Sequence, residues 1–264
     1  MSYTAPSDSP MPANGPSVVP AATLVIFRRR DQSGPPELLM VQRAREMRFA
    51  GGAAVFPGGR VDQADRELAR TLLPDEPEEM ASARIAAIRE TLEETGLMVA
   101  TRQPVSAGEA RAAREMLLAR GTLAPVLDHF GWTLDASALT FFAHWCPLWE
   151  KAFDTRFFIT DLGTGDVDVT VDATENTRLF WTSAAEALAM AERDEITVIF
   201  PTRRNLERLA QYATFADALA DAAAHPVRRV HPGKERREDQ EWLVIPDGHG
   251  YPVLGQPLAT AQRG

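Results

Sequence analysis

Arg89-Glu90-Thr91-Leu92-Glu93-Glu94-Thr95-Gly96-Leu97 is the stretch on which the reading of this chain turns. Glu90, Glu93 and Glu94 crowd the end of a helical segment, just before a glycine. Like charges three and four apart on a helix repel. Anions near a helix C-terminus also face the negative end of the macrodipole. A sequence that breaks two local rules at one spot points to function there. A divalent cation would relieve both conflicts, because hard cations such as Mg²⁺ prefer carboxylate oxygens.

Working outward, the helix behind this stretch starts at Asp75-Glu76-Pro77-Glu78-Glu79, with acids in its first turn and a proline near its first position. Gly96 is its natural stop. At about 100° per residue, Ile85, Ile88 and Leu92 share a packing face. Glu90 and Glu94 fall opposite, beside Ala83 and Ala87, on a face expected to have little steric cover. Glu93 sits to one side.

Upstream, Ala21 to Phe27 and Glu37 to Arg43 read as a hairpin across the breakers Gly34-Pro35-Pro36. Ala53 to Phe56 is a short strand ending at Pro57-Gly58-Gly59, and Asp65 to Leu73 a short helix stopped by Pro74. Residues 1–19, rich in proline, serine and alanine, cannot bury a core and are expected to be a disordered tail. Downstream, Leu97 to Arg102 reads as a strand. Ser106 to Arg120 and Ala124 to Trp132 make a helical insertion at about 104–135. Leu139 to Cys146 and Arg156 to Leu162 are aromatic-rich strands, and Thr170 to Ala173 and Arg178 to Trp181 continue the β pattern. Helices follow at Ser183 to Arg193, Pro201 to Tyr212 and Phe215 to Ala224. Arg228 to Val230 and Glu241 to Ile245 are expected to pair as strands, and 256–264 to form a C-terminal tail.

With the Gly-Gly turn before it, the acidic stretch resembles the box of the Nudix hydrolase family, G-x5-E-x7-R-E-U-x-E-E-x-G-U, where U is aliphatic. Gly59 takes the first glycine position, Asp65 the first glutamate, and Arg89 to Leu97 the second half, with Thr91 in an aliphatic slot. Between Asp65 and Arg89 lie 23 residues instead of seven, an insertion of 16. Arg48-Phe49-Ala50-Gly51-Gly52, Val55-Phe56-Pro57-Gly58-Gly59, Phe153 to Phe158, Trp181 to Leu188, Pro201-Thr202 and Gly250-Tyr251-Pro252 are similar to the peroxisomal coenzyme A diphosphatase branch, which also carries inserted boxes. The resemblance implies an α/β fold: a Nudix α/β/α sandwich with a mixed sheet, as one domain over residues 20–255, plus the helical insertion and an extra C-terminal segment.

It also implies metal-dependent hydrolysis of a nucleoside diphosphate derivative, with coenzyme A or an acyl-CoA as preferred substrate and Mg²⁺ or Mn²⁺ as cofactor. Glu90, Glu93, Glu94 and the Gly58 carbonyl are the metal-ligand candidates. Arg89 ties the loop to the helix, braced by Asp65. The general base is a box glutamate or a distant loop acid, for which Glu175 is the candidate against a solvated loop residue. Arg43, Arg45 and Arg48 face substrate phosphates or form a basic surface, and Gly59 lets backbone approach the substrate. Two other readings stay open: a pyrophosphatase for ADP-ribose or NADH-type dinucleotides, and a Nudix-fold binding module without turnover.

Composition bounds these readings. The chain has 264 residues, 45% hydrophobic and 25% charged, as in an ordinary globular protein. A net charge of -9 argues against a general nucleic-acid binder. No apolar run approaches the roughly 20 residues needed to cross a bilayer, and the N-terminus lacks a signal-peptide pattern. A cytoplasmic protein without membrane or nucleic-acid partners is the expectation. The single cysteine, Cys146, is expected to be a buried hydrophobe and His144 a packed histidine. The insertion and the 226–255 segment are expected to shape the pocket or a homodimer interface.

Overall fold

The apolar run that begins at Val19 becomes the centre of the sheet. The computed structural model describes residues 18–30, 34–45, 50–148, 152–164 and 176–261. Strand β1 (Val19–Arg29) sends Ala22, Leu24 and Ile26 into one core and Val25 and Phe27 into another. A strand covered on both faces is apolar throughout rather than alternating. It is followed by β2 (Glu37–Arg43), β3 (Ala54–Val55) and β4 (Gly58–Arg60). Helices α1 (Gln63–Leu72), α2 (Glu78–Thr95), α3 (Ala107–Arg120) and α4 (Ala124–Phe130) come next. Then come β5 (Thr140–Trp145), β6 (Phe153–Thr164) and β7 (Asn176–Ser183). Helices α5 (Ala184–Glu192), α6 (Phe200–Leu209) and α7 (Phe215–Ala224) lead to β8 (Arg229–Val230), β9 (Gly233–Arg237), β10 (Gln240–Val244), β11 (Gly255–Pro257) and the single turn α8 (Leu258–Ala261).

Among the described residues eight strands share one mixed sheet. β1 runs parallel to β6 and antiparallel to β2 and β4, while β5 lies antiparallel to β6 and parallel to β8. The far end of β1 pairs with β2 through Phe27 and Arg28; its near end pairs with β4 through Ala21 to Thr23. The sheet therefore forks along one edge of β1, and the Gly-Gly turn sits in one arm of the fork. Helices α1 to α4 cover one face and α5 to α7 the other, giving the expected three-layer α/β/α arrangement.

Four expectations need correcting. Leu97 to Arg102 is not a strand: Ala100 takes a left-handed conformation (φ 56°), which breaks extension, and Thr101 makes a lone bridge to Leu134. Arg229–Val230 does not pair with Glu241 to Ile245. It extends the main sheet beside β5, and β10 instead folds back on β9 through a tight turn with Glu238 left-handed, forming a separate sheet of β9, β10 and β11. The shorter loop is the cheaper one to close. From residue 256 the chain does not trail off, since Gln256 and Pro257 pair with β10 and α8 follows. Finally, the acid face of α2 is not open: Ala83 and Ala87 are fully buried and Glu94 is 4% exposed. Thr170 to Ala173 and residues 1–17 lie outside the described residues. No helix among those described is long and apolar enough to cross a membrane.

Candidate active site

Two glycines bring the halves of the site together. Gly58 has φ 154°, and a Cβ there would lie 2.3 Å from the Ala22 carbonyl oxygen. A Cβ on Gly59 would lie 2.3 Å from Glu90 Oε1. No side chain fits at Gly58, and one at Gly59 would have to push the Glu90 carboxylate aside, so β4 lies directly on the acids of α2. The Gly58 N–H donates to Glu94 Oε2 at 2.9 Å, a direct bond between turn and helix.

Arg89 organises the loop. Its guanidinium donates to both Asp65 oxygens (2.9 and 3.0 Å) and to the Arg60 carbonyl (2.9 Å). It also reaches Glu93 Oε2 at 3.2 Å and Glu90 Oε1 at 3.0 Å. Burial works against this charge, but the Asp65 bond and the neighbouring carboxylates outweigh it and raise its pKa. The insertion thus leaves the Asp65–Arg89 brace intact. It loops out as α1 and the first turns of α2, closed at its far end by an Arg70–Glu78 ion pair. Asp65 also accepts from the Asp62 N–H at the start of α1, so the shorter side chain serves both helix cap and brace.

Burial raises Glu90 to a pKa of about 7, Arg89 opposing and Glu93 adding to the rise. Glu94 is pushed up to about 8 by burial and by the Glu90 charge, against the Gly58 N–H, Arg43 and Asn176. Glu93 is the acid open to solvent, its side chain 36% exposed. The donor set fits a hard divalent cation, since two carboxylates four apart stay charged at neutral pH only with added positive charge beside them. Among the described residues no three acids, histidines or cysteines close into a finished cage.

These acids line one part of a cavity of about 910 Å³. Arg43, Arg60, Gly58, Gly59, Glu90, Glu93 and Glu94 form its polar wall. Its apolar wall comes from Trp145, Phe153, Phe157, Phe200, Pro232, Leu243 and Ala261. From β4 to β5 is three strand spacings, on the order of 14 Å at about 4.8 Å each, so the cavity suits an extended ligand. Arg43, a candidate for substrate phosphates, lines the cavity. Arg45 is exposed and absent from the wall. Arg48 and Glu175 lie outside the described residues. Gly96 closes α2 in the left-handed conformation, as expected.

Sequence reading missed two neighbours of the acids. Arg114, from the helical insertion, donates to the Glu93 carbonyl at 2.8 Å and supplies a cation where the last turn of α2 has none of its own. Asn176, at the start of β7, is 2% exposed beside Glu94. Neither has a sequence signal, since long-range contacts place both. Thr91 fits an aliphatic slot because its hydroxyl is satisfied within the helix by the Ala87 carbonyl (2.7 Å). Cys146 is buried and free, and burial raises its thiol to about 11. His144 is packed against Asp154, Nε2 to Oδ1 2.5 Å.

No protein-family model matches the chain. It is 44% identical over 61 residues to the uncharacterized Nudix hydrolase NudL of Klebsiella aerogenes, a match covering 23% of this chain and 48% of that protein. The chain thus spans about half the length of this curated relative. The crystal structure of a Nudix hydrolase from Alicyclobacillus acidocaldarius superposes with a TM-score of 0.64 at 27% identity, over 78% of this chain and 96% of that one. With Gly59, Asp65 and the Arg89 to Leu97 stretch assembled at one site on that frame, the chain has the Nudix hydrolase fold and its similarity in sequence and structure is to that family.

Proposed function

We propose that the protein is a metal-dependent hydrolase that cleaves the diphosphate linkage of a nucleoside diphosphate derivative, with coenzyme A or an acyl-CoA preferred. The observation that carries this is the cavity: it is lined by the box acids and Arg43 and also by Trp145, Phe153, Phe157, Phe200 and Leu243, apolar side chains of the kind against which a pantetheine or acyl chain packs. A bound Mg²⁺ or Mn²⁺ would neutralise charge developing on the diphosphate and acidify an attacking water. Glu90 and Glu94 would hold the ion, with the Gly58 backbone beside them. Arg43 binds phosphate oxygens, Arg89 keeps Glu90 and Glu93 in orientation, and solvent-facing Glu93 accepts a proton from water. Trp145, Phe153 and Phe200 exclude water from the apolar part.

The test is a panel of coenzyme A, acyl-CoAs, ADP-ribose, NADH and dinucleoside polyphosphates, with Mg²⁺ and with Mn²⁺, following product masses. Release of 3′,5′-ADP and a phosphopantetheine is expected, fastest for coenzyme A or its acyl esters. Cleavage confined to ADP-ribose or NADH would remove the coenzyme A preference. No cleavage of any member would leave a binding module.

A further inference from the structure

Three polar atoms beside the acids lack a hydrogen-bond partner among the described residues: Arg43 Nε, Asn176 Nδ2 and Asn176 Oδ1, all buried. Buried polar groups are nearly always paired, so such a cluster needs a reason. The backbone supplies one. Gln42 stands opposite Arg178, but Arg43 stands opposite Asn176, so β7 carries one extra residue at this point. A bulge re-aims the side chains beside it. Without it Thr177 would face Arg43; with it Asn176 does, and directly opposed side chains lie on the same face within about 5.5 Å at Cβ. The Asn176 amide also lies close enough to Glu94 to favour its ionised form, without closing to an ordinary hydrogen bond.

Resting on the hydrolase reading above, we infer that Asn176 is a positioning residue: its Nδ2–H donates to the Glu94 carboxylate while its Oδ1 accepts from Arg43 Nε, linking the phosphate-binding arginine to a metal-binding acid. The relay matches the three unpaired atoms donor to acceptor. Gly58 already holds Glu94 Oε2 from the other side, so the two donors fix the carboxylate plane. Partners of metal ligands typically contribute about 10–100-fold in metal affinity or activity.

The experiment titrates Mn²⁺ into the metal-free wild type, Asn176→Ala and Asn176→Ser by electron paramagnetic resonance, without substrate, alongside melting temperatures. Mn²⁺ binding is expected to weaken about tenfold or more in both variants, with the melting temperature unchanged or raised, because an unpaired buried amide has been removed. Should Asn176→Ala not fold, the serine variant is read the same way. A wild-type Mn²⁺ affinity in the folded variants overturns the inference, as does a lowered melting temperature with unchanged affinity, which marks a structural amide. A wild type that binds no Mn²⁺ overturns both this inference and the hydrolase reading. A wild type that binds it and cleaves a diphosphate, with variants that bind equally well, overturns this inference alone.

Discussion

Glu94 is held where a carboxylate is least at ease, buried against a backbone N–H and a second acid. Glu94→Gln keeps the shape and removes the charge. Diphosphate cleavage should fall by orders of magnitude, while the melting temperature holds or rises, because the charge was costly to bury. Wild-type turnover by Glu94→Gln would remove Glu94 from the reaction. Asp65 is the opposite case: its charge is answered by two bonds from Arg89, both side chains almost fully buried. Asp65→Ala removes two buried charge-assisted bonds but leaves Arg89 its contacts to the Arg60 carbonyl, Glu90 and Glu93, and should cost about 1.5–3 kcal/mol in urea unfolding. The box letters made Glu90, Glu94 and Arg89 legible in the sequence as candidates, because one helix fixes their spacing, while Asp65 was legible only from its distance to Gly59, the insertion having broken its spacing to Arg89. Asn176 and Arg114 were not legible. Each reaches the site from an element far along the chain, and only the sheet register and the packing of α3 on α2 deliver it.

At the scale of the element, α2 was placed well because its start and stop obey local rules: acids and proline at one end, Gly96 at the other. Its environment was misjudged. Wheel geometry showed the acids opposite the apolar face, but not that β4 lies on them, since side-chain-free Gly58 and Gly59 leave no hydrophobic trace. The burial that results makes the helix pH-sensitive. Glu90 and Glu94 have folded pKa values raised from 4.5 to about 7 and about 8. A carboxyl with a raised folded pKa contributes stability that is full below its unfolded pKa and lost as pH rises through the folded one. Metal-free protein should therefore melt at progressively lower temperature from about pH 5 to about pH 8, and Mn²⁺ should restore most of the loss at the upper end. Glu94→Gln should flatten the profile. A wild-type melting curve equally steep with and without Mn²⁺ would separate these acids from any cation.

At the scale of the whole molecule, the last stretch of chain completes the cavity as well as a core. Tyr251 is the joint. Its hydroxyl accepts from Trp145 Nε1 at 2.7 Å and donates to Asn205 Oδ1 at 3.1 Å, and its ring meets Trp145 edge-on at 5.6 Å. Trp145 and Phe200, themselves in edge contact, line the cavity. The C-terminal segment is thus bonded to a cavity wall contributed by β5, more than a hundred residues earlier. Tyr251→Phe keeps the ring and deletes the hydroxyl, leaving a tryptophan N–H and an asparagine oxygen buried without it. Urea unfolding should register about 1–3 kcal/mol. Because the loosened groups stand behind the apolar wall and not beside Glu90 or Glu94, KM should rise for substrates with a long apolar part while kcat holds. A fall in kcat at unchanged KM would show that the C-terminal segment acts on the acids instead, and the division of the cavity into a reacting wall and a binding wall would be wrong.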